Sequence, residues 1–166
     1  MQQTPNTVVE RLLLEETVIA SEEELTRRAL TPEQQKCLTA EAKQWLKQGA
    51  AQQRQGNTMA ALADFQKALQ AFQTLSQKRS AAKVILVMAH LCYRLADYLW
   101  ATDYARQGWE LARELDDRSL KYQALSCLGN SYRHLGEPIK AQACMEQSLD
   151  LAQEMRDLDA EMRWLS

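Results

Sequence analysis

Large apolar and small residues recur along this chain at a fixed interval of 40 residues. In each copy a large apolar residue is followed by small residues at three further positions. A constant period of this size is typical of stacked helical repeats, in which each unit buries its apolar side against the next. The equivalent positions are Trp45, Ile85 and Leu125 for the large residues, then Gly49, Ala89 and Gly129, Ala61, Ala101 and Ala141, and Ala68, Gly108 and Ser148 for the small ones.

The small positions indicate that helices approach one another closely. Glycine inside a helix costs about 1 kcal/mol relative to alanine, so Gly49 and Gly129 need a compensating reason. Close packing of one helix on another supplies it, because a crossing point requires a small residue. We therefore expect a bulky residue at Ala61, Ala101 or Ala141 to destabilise the protein by overpacking.

Signals for helix starts and turns divide the repeats into helix pairs. Thr31, Pro32 and Gln34 combine an N-cap residue, a proline in the first turn and an amide at the third position, which predicts a helix start at Pro32. Small residues at Gly56, Ala96 and Gly136 predict the turn inside each pair. The predicted helices span residues 32–55, 58–77, 79–95, 98–115, 118–135 and 138–155.

The sequence thus predicts an all-α fold in which residues 32–156 form three helical hairpins. Residues 157–166 repeat the register of residues 117–126 and are expected to begin a fourth repeat or to form a capping helix. Because Met162, Trp164 and Leu165 leave this end apolar, we expect either a longer natural protein or a homo-oligomer in which a second copy covers the end.

Composition excludes several classes of protein. None of the apolar runs among the 166 residues approaches the ~18 residues of a membrane span, and no basic region precedes the first apolar run as in a secretory signal. A cytoplasmic setting follows. The four cysteines form no CxxC arrangement, so we interpret them as small apolar residues, with no metal site and no cofactor. We find no nucleophile and base in a catalytic arrangement and predict no enzyme activity.

The repeat positions resemble those of the tetratricopeptide repeat family over residues 42–156. The 40-residue spacing and the phrase LGNSYRHLGE are similar to the variant in kinesin light chains and spindle-orientation adaptors. The middle unit departs from the pattern at Ala96, Ala105 and Gly108. The resemblance implies an α-α superhelix, a solenoid of antiparallel helix pairs that serves as a protein-interaction scaffold. It is carried by Trp45, Gly49, Gly56, Ala61, Phe65 and Ala68, and by Leu125, Leu128, Gly129, Tyr132, Gly136 and Ala141.

Charge is sorted by helix. Residues 42–55, 79–95 and 118–135, the first helix of each pair, contain bases but no Asp or Glu. In the family that the chain resembles, these helices line a concave groove for a peptide, and asparagine at the position of Asn130 holds the ligand backbone. We place the family's groove-facing positions on the equivalent residues of this sequence. The resemblance then implies a ligand-binding set of Lys43, Arg54, Lys83, His90, Tyr93, Arg94, Asn130, Arg133 and His134.

Basic residues in a half-enclosed groove favour a ligand with carboxylates. The leading hypothesis is a non-catalytic adaptor that binds an acidic peptide or partner helix. One alternative is that the basic residues of the inner helices are simply solvated and bind no ligand. Others are a regulatory or sensor domain of a longer protein and a nucleic-acid-binding repeat. The pI near 5.8 disfavours the last of these. The acidic and apolar segment of residues 1–31 is expected to be helical, and either caps the first unit or occupies the groove.

Overall fold

The structure, a computed structural model, describes residues 30–164 and the side chains of residues 30–156. The regular structure of this part is helical, and the chain from Leu38 onward forms one compact unit. The segment expected to cap or occupy the groove and the side chains at Met162, Trp164 and Leu165 lie outside the described residues. The helices are α1 (Pro32–Arg54), α2 (Thr58–Thr74), α3 (Lys78–Arg94), α4 (Tyr98–Glu114), α5 (Arg118–His134) and α6 (Pro138–Trp164).

Helix α1 begins where the sequence predicts. The backbone N–H of Gln34 donates to the Thr31 hydroxyl at 3.2 Å, and the Thr31 N–H donates to the Gln34 side-chain oxygen at 2.9 Å. The two reciprocal bonds form a capping box, which satisfies backbone donors that a helix start leaves without partners. The predicted start at Pro32 is therefore confirmed.

The turns between helices share one backbone conformation. In each three-residue turn the middle residue is left-handed, with φ between 49° and 83°, and the next residue donates its N–H to a carbonyl in the last helical turn at 2.9 to 3.1 Å. This Schellman arrangement closes a helix and reverses the chain. Because α2 to α5 are each 17 residues long, equal helices and equal turns produce the sequence period. The left-handed residues are Gly56, Ser76, Ala96, Asp116 and Gly136.

Alternate helices form two layers. The inner helices are α1, α3 and α5, the outer helices are α2, α4 and α6, and each described helix packs on its neighbours in the chain. Inner helices α3 and α5 also contact each other directly. Ile85, Met88 and Leu91 of α3 are the largest of the most deeply buried side chains, so the middle repeat holds the centre of the core. This arrangement confirms the predicted solenoid of antiparallel helix pairs.

The small residues lie where helices touch, as predicted. Ala61, Ala89 and Ala101 are fully buried. A Cβ atom added to Gly49 would lie 2.9 Å from Phe65 Cε1, and one added to Gly129 would lie 3.1 Å from Met145 Cγ. These distances are shorter than ordinary van der Waals contact, so alanine at either position would require the neighbouring side chain to shift.

The last described helix runs past the position at which a fourth repeat would begin. A turn is expected before Asp157, but α6 continues through this position to Trp164 without interruption. Residues 157–164 therefore extend the third outer helix.

We predict that Ala96→Gly stabilises the protein by about 1 kcal/mol, because Ala96 has a φ of 61° that glycine adopts without steric cost. Chemical unfolding followed by circular dichroism would measure the change. As a control, Ala63→Gly at an exposed position of helix α2 should lower stability by about 1 kcal/mol. A loss of stability in Ala96→Gly would contradict the left-handed turn.

We predict that Gly108→Ala destabilises the protein by about 1 to 3 kcal/mol through overpacking. The new Cβ atom would lie 2.5 Å from Leu86 Cδ2 and 2.8 Å from Leu86 Cγ. In the Leu86→Ala background, where the neighbouring side chain is shorter, Gly108→Ala should be nearly neutral. A double-mutant cycle therefore measures the contact between the two residues. Strictly additive losses in the double variant would argue against this packing.

Candidate functional site

The inner helices line a surface with two adjoining cavities, which we call the groove. The larger cavity has a volume of about 470 Å³, and all three inner helices contribute to its wall. Its polar lining offers both hydrogen-bond donors and acceptors, and it brings together three residues of the predicted binding set, His90, Tyr93 and Asn130. The polar lining residues are Gln53, His90, Tyr93, Tyr122, Gln123, Ser126 and Asn130.

The smaller cavity has a volume of about 330 Å³ and lies between the first two repeats. Phe65, Phe72 and Val84 are buried and give it an apolar floor. Lys43 and Lys83, two more residues of the predicted set, also line it and are exposed. Val87 lines both cavities, so the apolar end and the polar end belong to one continuous surface.

The charges of the groove are all of one sign. No Asp or Glu lines either cavity. Within the described residues, neither Lys43 nor Lys83 forms an ion pair. Two exposed positive charges thus stand beside a buried apolar floor.

Other basic residues of the inner helices form ion pairs that join helices of the stack. Lys78 at the start of α3 pairs with Glu114 at the end of α4, at 2.8 Å. The equivalent pair one repeat later joins Arg118 to Glu154 at 3.8 Å. Arg79 reaches Asp117 of the next repeat at 2.9 Å, so these inner-helix bases are not available to a ligand in the groove.

The three arginines of the predicted set lie outside the two cavities. Arg54, Arg94 and Arg133 stand at or next to the last residue of their inner helices, and all three are exposed. None of them lines either cavity of the groove. The positive charge of the groove is thus concentrated at Lys43 and Lys83 rather than spread along all three repeats.

The remaining predicted residue, His134, belongs to an aromatic cluster between the second and third repeats. Its ring stacks on Tyr98 with the ring centres 4.3 Å apart and the planes at 3°. Its Nε2 atom lies 3.2 Å from the Tyr93 hydroxyl. The hydrogen bond fixes the position of Tyr93, which lines the larger cavity. His134 therefore supports the groove wall instead of forming it.

The outer helices carry a surface that the sequence prediction missed. Met59, Leu99 and Ile139 are the second residues of α2, α4 and α6, and their exposed fractions are 75%, 71% and 84%. Trp100 beside them is 56% exposed. We call these four residues the outer ridge. This surface could have been found from the sequence, because three large apolar residues occupy equivalent positions in the repeats.

The two tryptophans of α4 differ in environment. Trp109 packs between repeats, because it contacts the buried clusters around Ala112 and Ala105. Trp100 lies in the first turn of α4, where its ring is largely in solvent and contacts Tyr104.

The described residues contain no cluster of three or more His, Cys, Asp or Glu side chains placed to hold a metal ion. Among the helices between Pro32 and Trp164, none has the length and apolar character needed to cross a membrane. Cys92 is buried, and Cys127 and Cys144 are partly buried against the core. Burial raises the pKa of all three thiols, and for Cys127 it raises the pKa to about 11.

Comparison with known proteins adds a structural match. No protein-family model matches the sequence, and no curated protein matches it. The crystal structure of the TPR domain of Arabidopsis FLU matches with a TM-score of 0.66 at 20% sequence identity, over 70% of this chain and 98% of that one. The chain has a tetratricopeptide repeat fold. At this identity the match identifies the fold alone, and the 40-residue variant and the likeness to kinesin light chains stay predictions.

We predict that Cys127 resists alkylation although it lines the larger cavity. Its thiol stays protonated until the pH approaches about 11, and the thiolate is the reactive species. At about pH 8, iodoacetamide should modify exposed Cys37 first, as peptide mass spectrometry would show. The Cys37→Ser variant should then take up little reagent, whereas rapid labelling of Cys127 at that pH would contradict its burial.

Proposed function

We propose that this chain is a non-catalytic interaction module, a scaffold or adaptor that binds an acidic peptide or partner helix in the groove. The observation that carries the proposal is the smaller cavity, where Lys43 and Lys83 flank an apolar floor and no carboxylate is present. A tetratricopeptide repeat fold supports protein binding in general terms.

The two ends of the groove suit different parts of a peptide. An apolar side chain that enters the smaller cavity loses contact with water against Phe65 and Phe72. An adjacent carboxylate meets the exposed ammonium group of Lys43 or Lys83 and forms a charge-assisted hydrogen bond with it. Affinity and charge preference would therefore come from this end.

The polar end suits the peptide backbone. Gln53, Gln123 and Asn130 carry amide groups, each of which both donates and accepts hydrogen bonds. Such groups pair with backbone N–H and C=O of an extended chain whatever its sequence. The polar end would therefore hold and orient a ligand that the apolar end selects.

Other functions are less well supported. Binding of nucleic acid needs a basic stripe, but Arg54, Arg94 and Arg133 lie outside the groove and the net charge is −2. A regulatory domain of a longer protein, or a homo-oligomer through the C-terminal end, is compatible with the same groove. A cytoplasmic location belongs to the proposal, since the described cysteines form no disulfide.

A displayed library of random linear peptides, selected on the 166-residue protein, tests the proposal. We expect enrichment of peptides in which carboxylates flank a large apolar residue. Binding should weaken about tenfold or more in Lys43→Glu/Lys83→Glu, since both attractions become repulsions. Fluorescence polarisation with a selected peptide, and with a single-stranded oligonucleotide, would measure the two affinities.

A matched control carries the same charge change on the outer helices. Lys67→Glu/Arg106→Glu should leave peptide binding nearly unchanged, because neither residue lines the groove. Val87→Glu should also abolish binding, since Val87 lies between the cavities. Equal losses in the control and the groove variants, or tighter binding of the oligonucleotide than of any peptide, would refute the proposal.

A further inference from the structure

The outer ridge lies on the opposite layer of helices from the groove and repeats three times. Met59, Leu99 and Ile139 occupy the same position at the start of each outer helix, so stacking of the repeats arranges them in a row. Single exposed apolar residues are ordinary on a protein surface. Large apolar residues exposed at three equivalent positions, with the half-exposed Trp100 next to Leu99, are a less usual feature that points to an interaction surface.

A cavity opens within the ridge between the first and second repeats. It has a volume of about 250 Å³, and its lining is mainly apolar, with Met59, Leu95 and Trp100 at positions that are exposed to solvent. Trp100 and Tyr104 contribute two aromatic rings with centres 5.8 Å apart. The ridge therefore offers both a raised apolar row and a recess of the size of one side chain.

The charge beside this cavity is opposite to that of the groove. Asp97 is the only charged residue that lines it, and Asp103 lies one helical turn beyond Trp100. Asp97 accepts the Trp100 backbone N–H at 3.4 Å, and Asp103 accepts the Gln107 side chain at 2.9 Å. Neither carboxylate pairs with a base among residues 30–156.

We propose that the outer ridge is a second binding surface, for an amphipathic partner segment that carries basic residues beside its apolar face. An apolar side chain of the partner fills the cavity between Met59 and Trp100. A neighbouring Lys or Arg meets Asp97 and Asp103, and it can also lie over the ring of Trp100, whose face attracts cations. The partner is thus opposite in charge to the ligand of the groove, and the two can bind at once.

The experiment selects displayed peptides on a protein whose groove is blocked by Val87→Glu, so that its outcome does not depend on the proposed function. The peptides are about 15 residues long, a length that allows a marginally stable helix. We expect enrichment of sequences with apolar residues at helical spacing and a net positive charge. Isothermal titration calorimetry with one selected peptide then measures affinity for the variants below.

Two pairs of variants separate the apolar and the charged contributions. Met59→Ser/Leu99→Ser should weaken binding about tenfold or more, whereas Leu149→Ser, which changes an exposed leucine elsewhere, should not. Asp97→Asn/Asp103→Asn should weaken it about threefold to tenfold, and asparagine keeps the helix cap. Glu110→Gln/Glu146→Gln makes the same charge change away from the ridge and should have no effect.

Three outcomes would overturn this inference. They are the absence of enriched peptides, enrichment of acidic or neutral peptides, and binding that the ridge variants leave intact. Analytical ultracentrifugation of the unmodified protein and of Met59→Ser/Leu99→Ser adds a further test. If Met59→Ser/Leu99→Ser converts a dimer into a monomer, a second copy of the chain covers the ridge and the proposed partner is wrong.

Discussion

The close contact of neighbouring helices at glycine is the constraint on which this structure depends. Phe65 packs against the backbone at Gly49, Leu86 against Gly108, and Met145 against Gly129. At each point a single added methyl group would have to displace a buried side chain, or a partly exposed one at Met145. The contacts hold the helix layers together, and the left-handed turns return the chain to the next contact after a helix of constant length. Local geometry that repeats at a fixed interval thereby produces a stack.

Stacking determines which side chains share a surface. Residues far apart in the sequence, such as Gln53, His90 and Asn130, line one cavity because their inner helices lie side by side. The same stacking pairs Lys78 with Glu114 and Arg118 with Glu154, which removes bases from the groove and uses them to join the helices of a repeat. The opposite layer gathers the apolar residues that begin each outer helix. One repeating contact thus creates two surfaces that differ in charge and polarity.

The sequence predicts the fold nearly completely, because the 40-residue period, the small residues and the cap at Thr31 can all be recognised from residue types and their spacing. It predicts the groove only in part. Helical register brings Lys43, Lys83 and Asn130 to the cavities, but register alone does not show that Arg94 and Arg133, near the helix ends, lie beyond them. Such positions depend on side-chain direction and on partners in other repeats.

The nuclear Overhauser spectrum of the protein tests the packing of the helices most directly. The account predicts that, in one folded state, the α-protons of Gly49, Gly108 and Gly129 give cross-peaks to Phe65, Leu86 and Met145 respectively, since each partner lies within van der Waals contact. Helices that are intact by chemical shift but lack these cross-peaks would contradict it. Neither the groove nor the outer ridge would then exist as described.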